Sequence, residues 1–379
     1  MMPIFGKPEF FLKLFCFSLV LFVYCEYLVY YSIINRCEWP QLKKENEDPK
    51  IEETNEKPVR IMVIADTHLL GPRKGHWFDK LRREWQMHRA FQTAVHLLQP
   101  ELVFILGDIM DEGFYCSPEE FQKYIRRFKK LFAVPEQTKL YTIAGNHDVG
   151  FHYEISPYRI QKFNDGFNST SVQLISLRGN HFVLVNSMAL EGDGCFLCRD
   201  VEKQLTNIEK LLKCSRKSYT GKCNQKKLDI YSKPILMQHY PLYRQSDMEC
   251  TDFDAAPMPI RQERFKETWD CLSKEATYQI LNQIKPRLAL SGHTHHGCTR
   301  KLPVGGGLEI TLPSFSWRNK NNPTLGLGVF TPSNYAFVKC SIPEESTVIV
   351  IYISGIIAIL LWSIYTYFSY RRRRLLKYL

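Results

Sequence analysis

Five short clusters of this sequence carry residues able to hold metal ions and phosphate. They are Asp66-Thr67-His68, Gly107-Asp108-Ile109-Met110-Asp111, Gly145-Asn146-His147-Asp148, Gln238-His239-Tyr240-Pro241 and Ser291-Gly292-His293-Thr294-His295. Carboxylate, amide and imidazole side chains together suit Mn²⁺, Fe or Zn²⁺ better than the all-oxygen cages of Ca²⁺ or Mg²⁺. Two such ions about 3.5–4 Å apart make water a strong nucleophile near neutral pH and neutralise a phosphoryl group. Each cluster alone is weak. A D-x-H is more often a surface turn, a lone His239 more often structural, and G-N-H-D an ordinary turn. In Gly292-His293-Thr294-His295, alternate residues of an extended segment point two imidazoles the same way.

The elements that must position these clusters are legible as apolar runs. Val59–Ala65, Leu102–Leu106, Leu140–Ala144, Phe182–Val185, Ile235–Met237 and Leu288–Leu290 are short and apolar on both faces, as strands covered by helices are. Each cluster follows the end of one such run, where open α/β sheets place their ligand sites. Between the runs, Ser117-Pro118-Glu119-Glu120 is a capping box that opens a helix toward Phe132. Arg199 to Leu212 and Lys274 to Ile284 are amphipathic at helical spacing. The alternation predicts one α/β domain over residues 59–340.

In this order the five blocks resemble the signature of the calcineurin-like metallophosphoesterase superfamily: D-x-H, G-D-x-x-D, G-N-H-D, a lone H, then G-H-x-H. The resemblance implies a metallophosphoesterase β-sandwich flanked by helices, with a dinuclear metal site. Asp66, His68 and His295 would hold one ion, Asn146, His239 and His293 the other, and Asp108 would bridge them. His147, next to Asn146, would stand over the leaving group as a proton donor or charge stabiliser. Asp148 would orient His147, and Asp111 would support the ligands from behind, with turn caps as the alternative for both. Mn²⁺ is the expected metal, with Fe and Zn²⁺ as alternatives.

Residues 1–34 and 348–370 bracket this domain. Val348 to Tyr370 holds no charge and is long enough to cross a bilayer. The following Arg371–Arg374 run marks a cytosolic tail, residues 371–379, by the positive-inside rule. The first segment is apolar from Leu14 to Cys25, broken by Glu26, and apolar again to Ile34. It lacks small residues for a cleavage site, so an uncleaved anchor is expected, with Glu26 at the interface or paired with another helix. Residues 35–58 read as a polar linker. Five of the eleven net positive charges sit in the tail, too few elsewhere for a dedicated nucleic-acid binder. With 45% hydrophobic and 23% charged residues, disorder and coiled coil are also excluded.

Ten of the twelve cysteines lie between the apolar segments, where an oxidising lumen would pair them. Cys195-Phe-Leu-Cys198 with Cys214 and Cys223 has the look of a zinc cluster, but no neighbouring histidine completes it, and disulfides are expected. Asn168-Ser169-Thr170 is a glycosylation sequon if this region is lumenal. Gly305–Gly307 reads as a turn, His296 as a surface residue, and Phe315–Arg318 as a stretch that lines the cleft or packs the sheet. Lys377 forms an incomplete retrieval signal.

Within the superfamily, the layout is similar to the eukaryotic enzymes that trim ethanolamine phosphate from GPI anchors. That implies a phosphodiesterase of the ER, ER exit sites, ER–Golgi intermediate compartment and Golgi, acting on a mannose-linked group and promoting transport of GPI-anchored proteins. Membrane lipids, and cargo-receptor or coat contacts through the tail, are the other implied partners. Two rivals remain: a lumenal phosphoesterase with another substrate (lipid head group, nucleotide or phosphoprotein), and a catalytically silent cargo receptor.

Overall fold

The computed structural model describes residues 8–44, 57–216, 219–223 and 227–375. The stretch 45–56 of the expected linker and Lys377 lie outside the described residues. The domain begins with three parallel strands, β1 (Val59–Ile64), β2 (Leu102–Leu106) and β3 (Lys139–Ile143). A second sheet follows with β4 (Val172–Leu177), β5 (Asn180–Val185), β6 (Ile235–Gln238), β7 (Leu288–Ser291), β8 (Cys298–Lys301) and β9 (Leu308–Thr311). The chain then returns to the first sheet with β10 (Thr324–Phe330) and β11 (Tyr335–Ser341). The sheet orders are β11-β10-β1-β2-β3 and β4-β5-β6-β7-β9-β8. Strands β5, β6, β7 and β9 are mutually parallel.

Side-chain alternation explains why the runs are apolar on both faces. In β1, Val59, Ile61 and Val63 join Leu102, Phe104, Phe182, Leu184, Ile235, Leu288 and Phe330 in a core between the two sheets. Met62 and Ile64 point the other way, into a second core shared with helices. The largest helical contributor is Trp77–Leu98, whose Met87, Ala90, Phe91, Ala94, Val95 and Leu98 recur at helical spacing and are buried. The helix Pro118–Leu131 starts on the expected capping box, with Ser117 and Glu120 satisfying one another's backbone amides. Lys274–Ile284 spans the expected residues, and Phe196–Cys214 extends the expected helix at both ends.

Two helices, Pro8–Ile34 and Glu345–Arg373, are long and apolar enough to cross a membrane by length and composition. Glu26 lies in a π-helical turn, Tyr24–Leu28, and accepts a 2.5 Å hydrogen bond from the Tyr352 hydroxyl of the other helix. Phe10 stacks on Trp362 with ring centroids 5.0 Å apart. Residues 35–44 pack on the domain rather than spacing it away: Trp39 Nε1 donates to the Leu98 carbonyl at 3.1 Å, and Cys37 is disulfide-bonded to Cys340.

Three further disulfides join Cys195 to Cys198, Cys214 to Cys223 and Cys250 to Cys298, while Cys116 and Cys271 are buried thiols. This pairing fits an oxidising compartment. Asn168 is an exposed helix C-cap in the left-handed region. Gly305–Gly307 turns between β8 and β9 as expected. His296 is not a surface residue: it is half-buried, with Nδ1 3.1 Å from Lys320 Nζ.

Candidate metal centre

The ends of β1, β2, β3, β6 and β7 converge on one edge of the sandwich, and backbone bonds lock their loops together. Asp66 N–H donates to Gly107 O (3.2 Å), His68 N–H to Asp108 O (2.9 Å) and Gly292 N–H to His239 O (2.9 Å). The convergence needs unusually close approaches. A Cβ on Gly107 would stand 2.5 Å from the His239 ring, and one on Gly145 would stand 2.2 Å from Asp108 Oδ1. Five site residues hold left-handed backbone: Asp66 (φ 54°), His68 (43°), Asp108 (47°), His293 (74°) and His295 (60°). Such conformations cost about 1–2 kcal/mol for each non-glycine residue and collect where function imposes them. Elsewhere, Gln99, Asn168 and Lys285 have the same twist only as ordinary helix C-caps.

All seven expected ligands meet here, in two groups that share Asp108. In the first, His68 Nε2 lies 3.1 Å from His295 Nε2, 4.0 Å from Asp66 Oδ1 and 3.5 Å from Asp108 Oδ2. In the second, His239 Nε2 lies 3.4 Å from Asp108 Oδ2 and 3.1 Å from Asn146 Oδ1. Donor atoms about 2.0–2.2 Å from a common ion stand roughly 3–4 Å from one another, so both groups fit a cation. The hydrogen-bond partners leave room for positive charge there. His239 Nδ1 is 2.7 Å from the Leu106 carbonyl, which can only accept, so Nδ1 carries a proton and Nε2 faces two oxygens across a gap that a second proton or a cation must fill. Likewise His293 Nε2 donates to the Trp269 carbonyl at 2.8 Å, leaving its buried Nδ1 without a protein partner.

Burial sets the charge states. It pushes His68 down, His293 down to about 3 and His295 well below the usual range, keeping their ligand nitrogens unprotonated. Burial also pushes Asp66 up to about 8. Burial alone would raise Asp108, but His239, His147 and His68 outweigh it and hold Asp108 well below the carboxylate range. His239 responds in kind: burial would lower it, yet Asp108 and Asp66 bring it up to about 9. A divalent cation held by these residues would take over the work of that proton.

His147 and Asp148 divide their tasks differently from expectation. Asp148 does not touch the His147 ring. Its carboxylate accepts from the backbone N–H groups of Ile109 (3.2 Å), Met110 (2.9 Å) and Gly145 (3.0 Å), tying the loop of Asp108 to the loop of Asn146. His147 is oriented by Asp111, whose carbonyl lies 2.9 Å and carboxylate 3.7 Å from its Nδ1. Asp111 also places Oδ1 3.3 Å from His68 Nδ1, the support a ligating imidazole needs. Arg318 grips the Asp111 carboxylate at 3.2 and 3.1 Å. Phe315 and Trp317 belong to the core, so of that stretch Arg318 reaches the site. No sequence spacing pointed to the Asp111–His147 contact; the G-D-x-x-D form was its one trace.

An aromatic shelf adjoins the cluster. Phe151 stacks on Trp269 at 4.2 Å, with the exposed Tyr153 ring nearly parallel to both. A cavity of about 820 Å³ beside Lys233, Arg287 and Tyr335 shares no residue with the cluster.

The family model of the calcineurin-like phosphoesterases matches residues 59–297. A chicken (Gallus gallus) protein named Metallophosphoesterase 1 is 49% identical over 93% of this chain and 88% of its own length. Proteins of the same name are 46% identical in Pongo abelii, over 97% of this chain and 92% of that one, and in Danio rerio, over 90% and 87%. Metallophosphoesterases work with a dinuclear metal site, and the candidate ligands for one are present here. The chain therefore belongs to the calcineurin-like phosphoesterases and is a metal-dependent phosphoric ester hydrolase.

Proposed function

We propose that this hydrolase is a membrane-anchored lumenal phosphodiesterase that removes ethanolamine phosphate from a mannose of the GPI glycan. It thereby promotes ER-to-Golgi transport of GPI-anchored proteins, and two Mn²⁺ ions are its metals. The observation that carries this reading is the shelf of Phe151, Tyr153 and Trp269, joined to the cluster through the Trp269 carbonyl on His293. Flat aromatic faces suit the C–H face of a sugar ring, whose hydrogens meet the negative π surface. The two flanking apolar helices and the four disulfides support a lumenal enzyme held beside membrane-borne substrates.

In this reading Asp66, His68, His295, Asn146, His239, His293 and Asp108 hold the metals. When bound, the ions neutralise phosphoryl oxygens and supply an activated water. His147 does the proton work: with Nδ1 tied to Asp111, its Nε2 is the atom free to protonate the departing sugar oxygen. Arg318 fixes Asp111, and Asp111 fixes both His68 and His147. Asp148 sets the spacing of the loops that carry Asp108 and Asn146.

The test is release of ethanolamine phosphate from a GPI glycan by the full chain in detergent with Mn²⁺, beside Asp108→Asn. Mn²⁺-dependent release that the variant loses by at least about 1,000-fold is expected. A folded, metal-loaded chain that leaves this glycan intact while cleaving an aryl phosphodiester overturns the substrate but not the hydrolase.

A further inference from the structure

A second group of ligating side chains stands at the start of the Phe196–Cys214 helix. Cys195 caps that helix and Cys198 lies in its first turn, with the Cys198 N–H 3.0 Å from Cys195 Sγ. In this structure the two sulfurs form a disulfide. Asp193, just upstream, places Oδ1 3.8 Å from Cys198 Sγ. His152 arrives from a distant turn and brings Nε2 to 2.9 Å from Asp193 Oδ2. One ligand atom from each of the four lies within 4.8 Å of all the others.

The partners of His152 call for positive charge on or beside its ring. Its Nδ1 is 3.0 Å from the Met188 carbonyl, an acceptor, so Nδ1 carries a hydrogen. Nε2 then faces Asp193 Oδ2, a second acceptor, and something positive must lie between them: a second proton or a metal ion. An imidazole steered by a carbonyl on one nitrogen and aimed at a carboxylate with the other is the arrangement of a metal ligand. Cys198 is fully buried while the Asp193 side chain is 53% exposed, so the group has a solvent-facing mouth.

We propose that Cys195, Cys198, His152 and Asp193 form a redox-gated site for a zinc-like divalent cation, seen here in its disulfide state. Two thiolates, one imidazole and one carboxylate make a four-coordinate set suited to Zn²⁺, and C-x-x-C is a common spacing for its sulfur ligands. Opening the site takes a dithiol reductant, R(SH)₂. One of its thiolates attacks Cys195, the more accessible sulfur. The Cys195–Cys198 bond breaks, two electrons pass to the protein sulfurs, and the reductant leaves as its own disulfide. The two protons from R(SH)₂ reach the new thiols and are released when both bind the cation as thiolates. The site borders the catalytic centre, because His152 follows Phe151, which stacks on Trp269 next to His293. The inference stands whether or not the proposed substrate is right.

The full chain in detergent, reduced with a phosphine and freed of reductant, is titrated with Co²⁺ as a visible stand-in for zinc. A thiolate-to-cobalt charge-transfer band is expected in the reduced protein and not in the oxidised one. The dinuclear cluster has no thiolate and cannot produce it. The Cys195→Ser/Cys198→Ser double variant reads the background from other reduced cysteines, and His152→Ala is expected to weaken the band-forming affinity at least tenfold. A reduced wild-type chain whose band does not exceed that of the double variant overturns the proposal and makes the disulfide purely structural. So does a band indifferent to both His152→Ala and Asp193→Ala.

Discussion

The dinuclear cluster and the Cys195–His152 group share one electrostatic sign, acceptor atoms aimed at one another that need positive charge between them, but they are built in opposite ways. In the first, Asp66, His68, Asp108 and His239 are almost wholly buried, and much of the backbone is held left-handed. In the second, the ligands sit on a helix start and two loops, half open to solvent, and the twisted backbone falls on Gly192 and Gly194, which bear it without penalty. The difference teaches where rigidity is needed. A site that must hold two like-charged ions close together requires a frame that cannot relax, whereas a site that opens and closes cannot be so tightly held.

Paired glycine substitutions break this comparison most sharply. At Gly145 a methyl group would collide with Asp108 Oδ1 and stand 2.4 Å from its backbone nitrogen. Gly145→Ala should therefore lower turnover of an aryl phosphodiester by at least about 100-fold, since small misplacements of reacting groups cost that much. At Gly194 a methyl group would meet nothing within 4 Å, and only its φ of 67° opposes alanine. Gly194→Ala should cost about 1 kcal/mol of stability and leave activity intact. Equal loss of activity in the two variants would mean that both regions are rigid alike.

Asp111→Asn sharpens the contrast at one remove. It weakens the carboxylate that supports His68, in a region where the second group uses the Met188 carbonyl for the same purpose. Metal affinity, measured by chelator competition, should fall about 10- to 100-fold while the melting temperature changes little. An unchanged affinity would mean that the Asp111 carboxylate serves Arg318 and does not support His68.

The smallest effect belongs to Glu191, which lies beside the second group and accepts from the Ser273 amide at 2.9 Å. Burial pushes its carboxyl up to about 7 from an ordinary value of 4.5. Between those values the folded chain keeps a proton that the unfolded chain has lost, so stability falls as pH rises through this window and is level above it. Glu191→Gln should flatten the decline in melting temperature between about pH 5 and 7, by a few degrees. A wild-type melting temperature that climbs across that window would contradict the burial assigned to Glu191.

Much of the site was legible because its residues follow apolar strands directly: Asp66 after Ala65, Asp108 after Gly107, Asn146 after Gly145. The strand ends did the placing, and the seven candidate ligands came together without any one of them being visible as such alone. What stayed hidden depends on chains meeting in space. Asp111 rather than Asp148 orients His147, because the turn of Asn146–Val149 points the Asp148 carboxylate back into its own loop. The expected disulfides at Cys195–Cys198 and Cys214–Cys223 form, but the approach of His152 to the first pair from far upstream had no local signal. The Trp77–Leu98 helix escaped notice because Asp79, Lys80, Arg82, Arg83 and Glu84 mask its apolar stripe in the first turns. Strands β10 and β11 carry no chemistry, and nothing local in them announces that they close the first sheet.

The Cys37–Cys340 bond has a topological consequence. It joins residues 303 apart, just inside the two apolar helices, so nearly the whole phosphoesterase fold is a covalent ring. A protease that cuts once anywhere inside that ring leaves a single molecule with both helices attached. A pull on the two apolar helices is borne by that sulfur–sulfur bond and by the end of β11, where Cys340 sits, and need not run along the chain that carries the metal-binding loops.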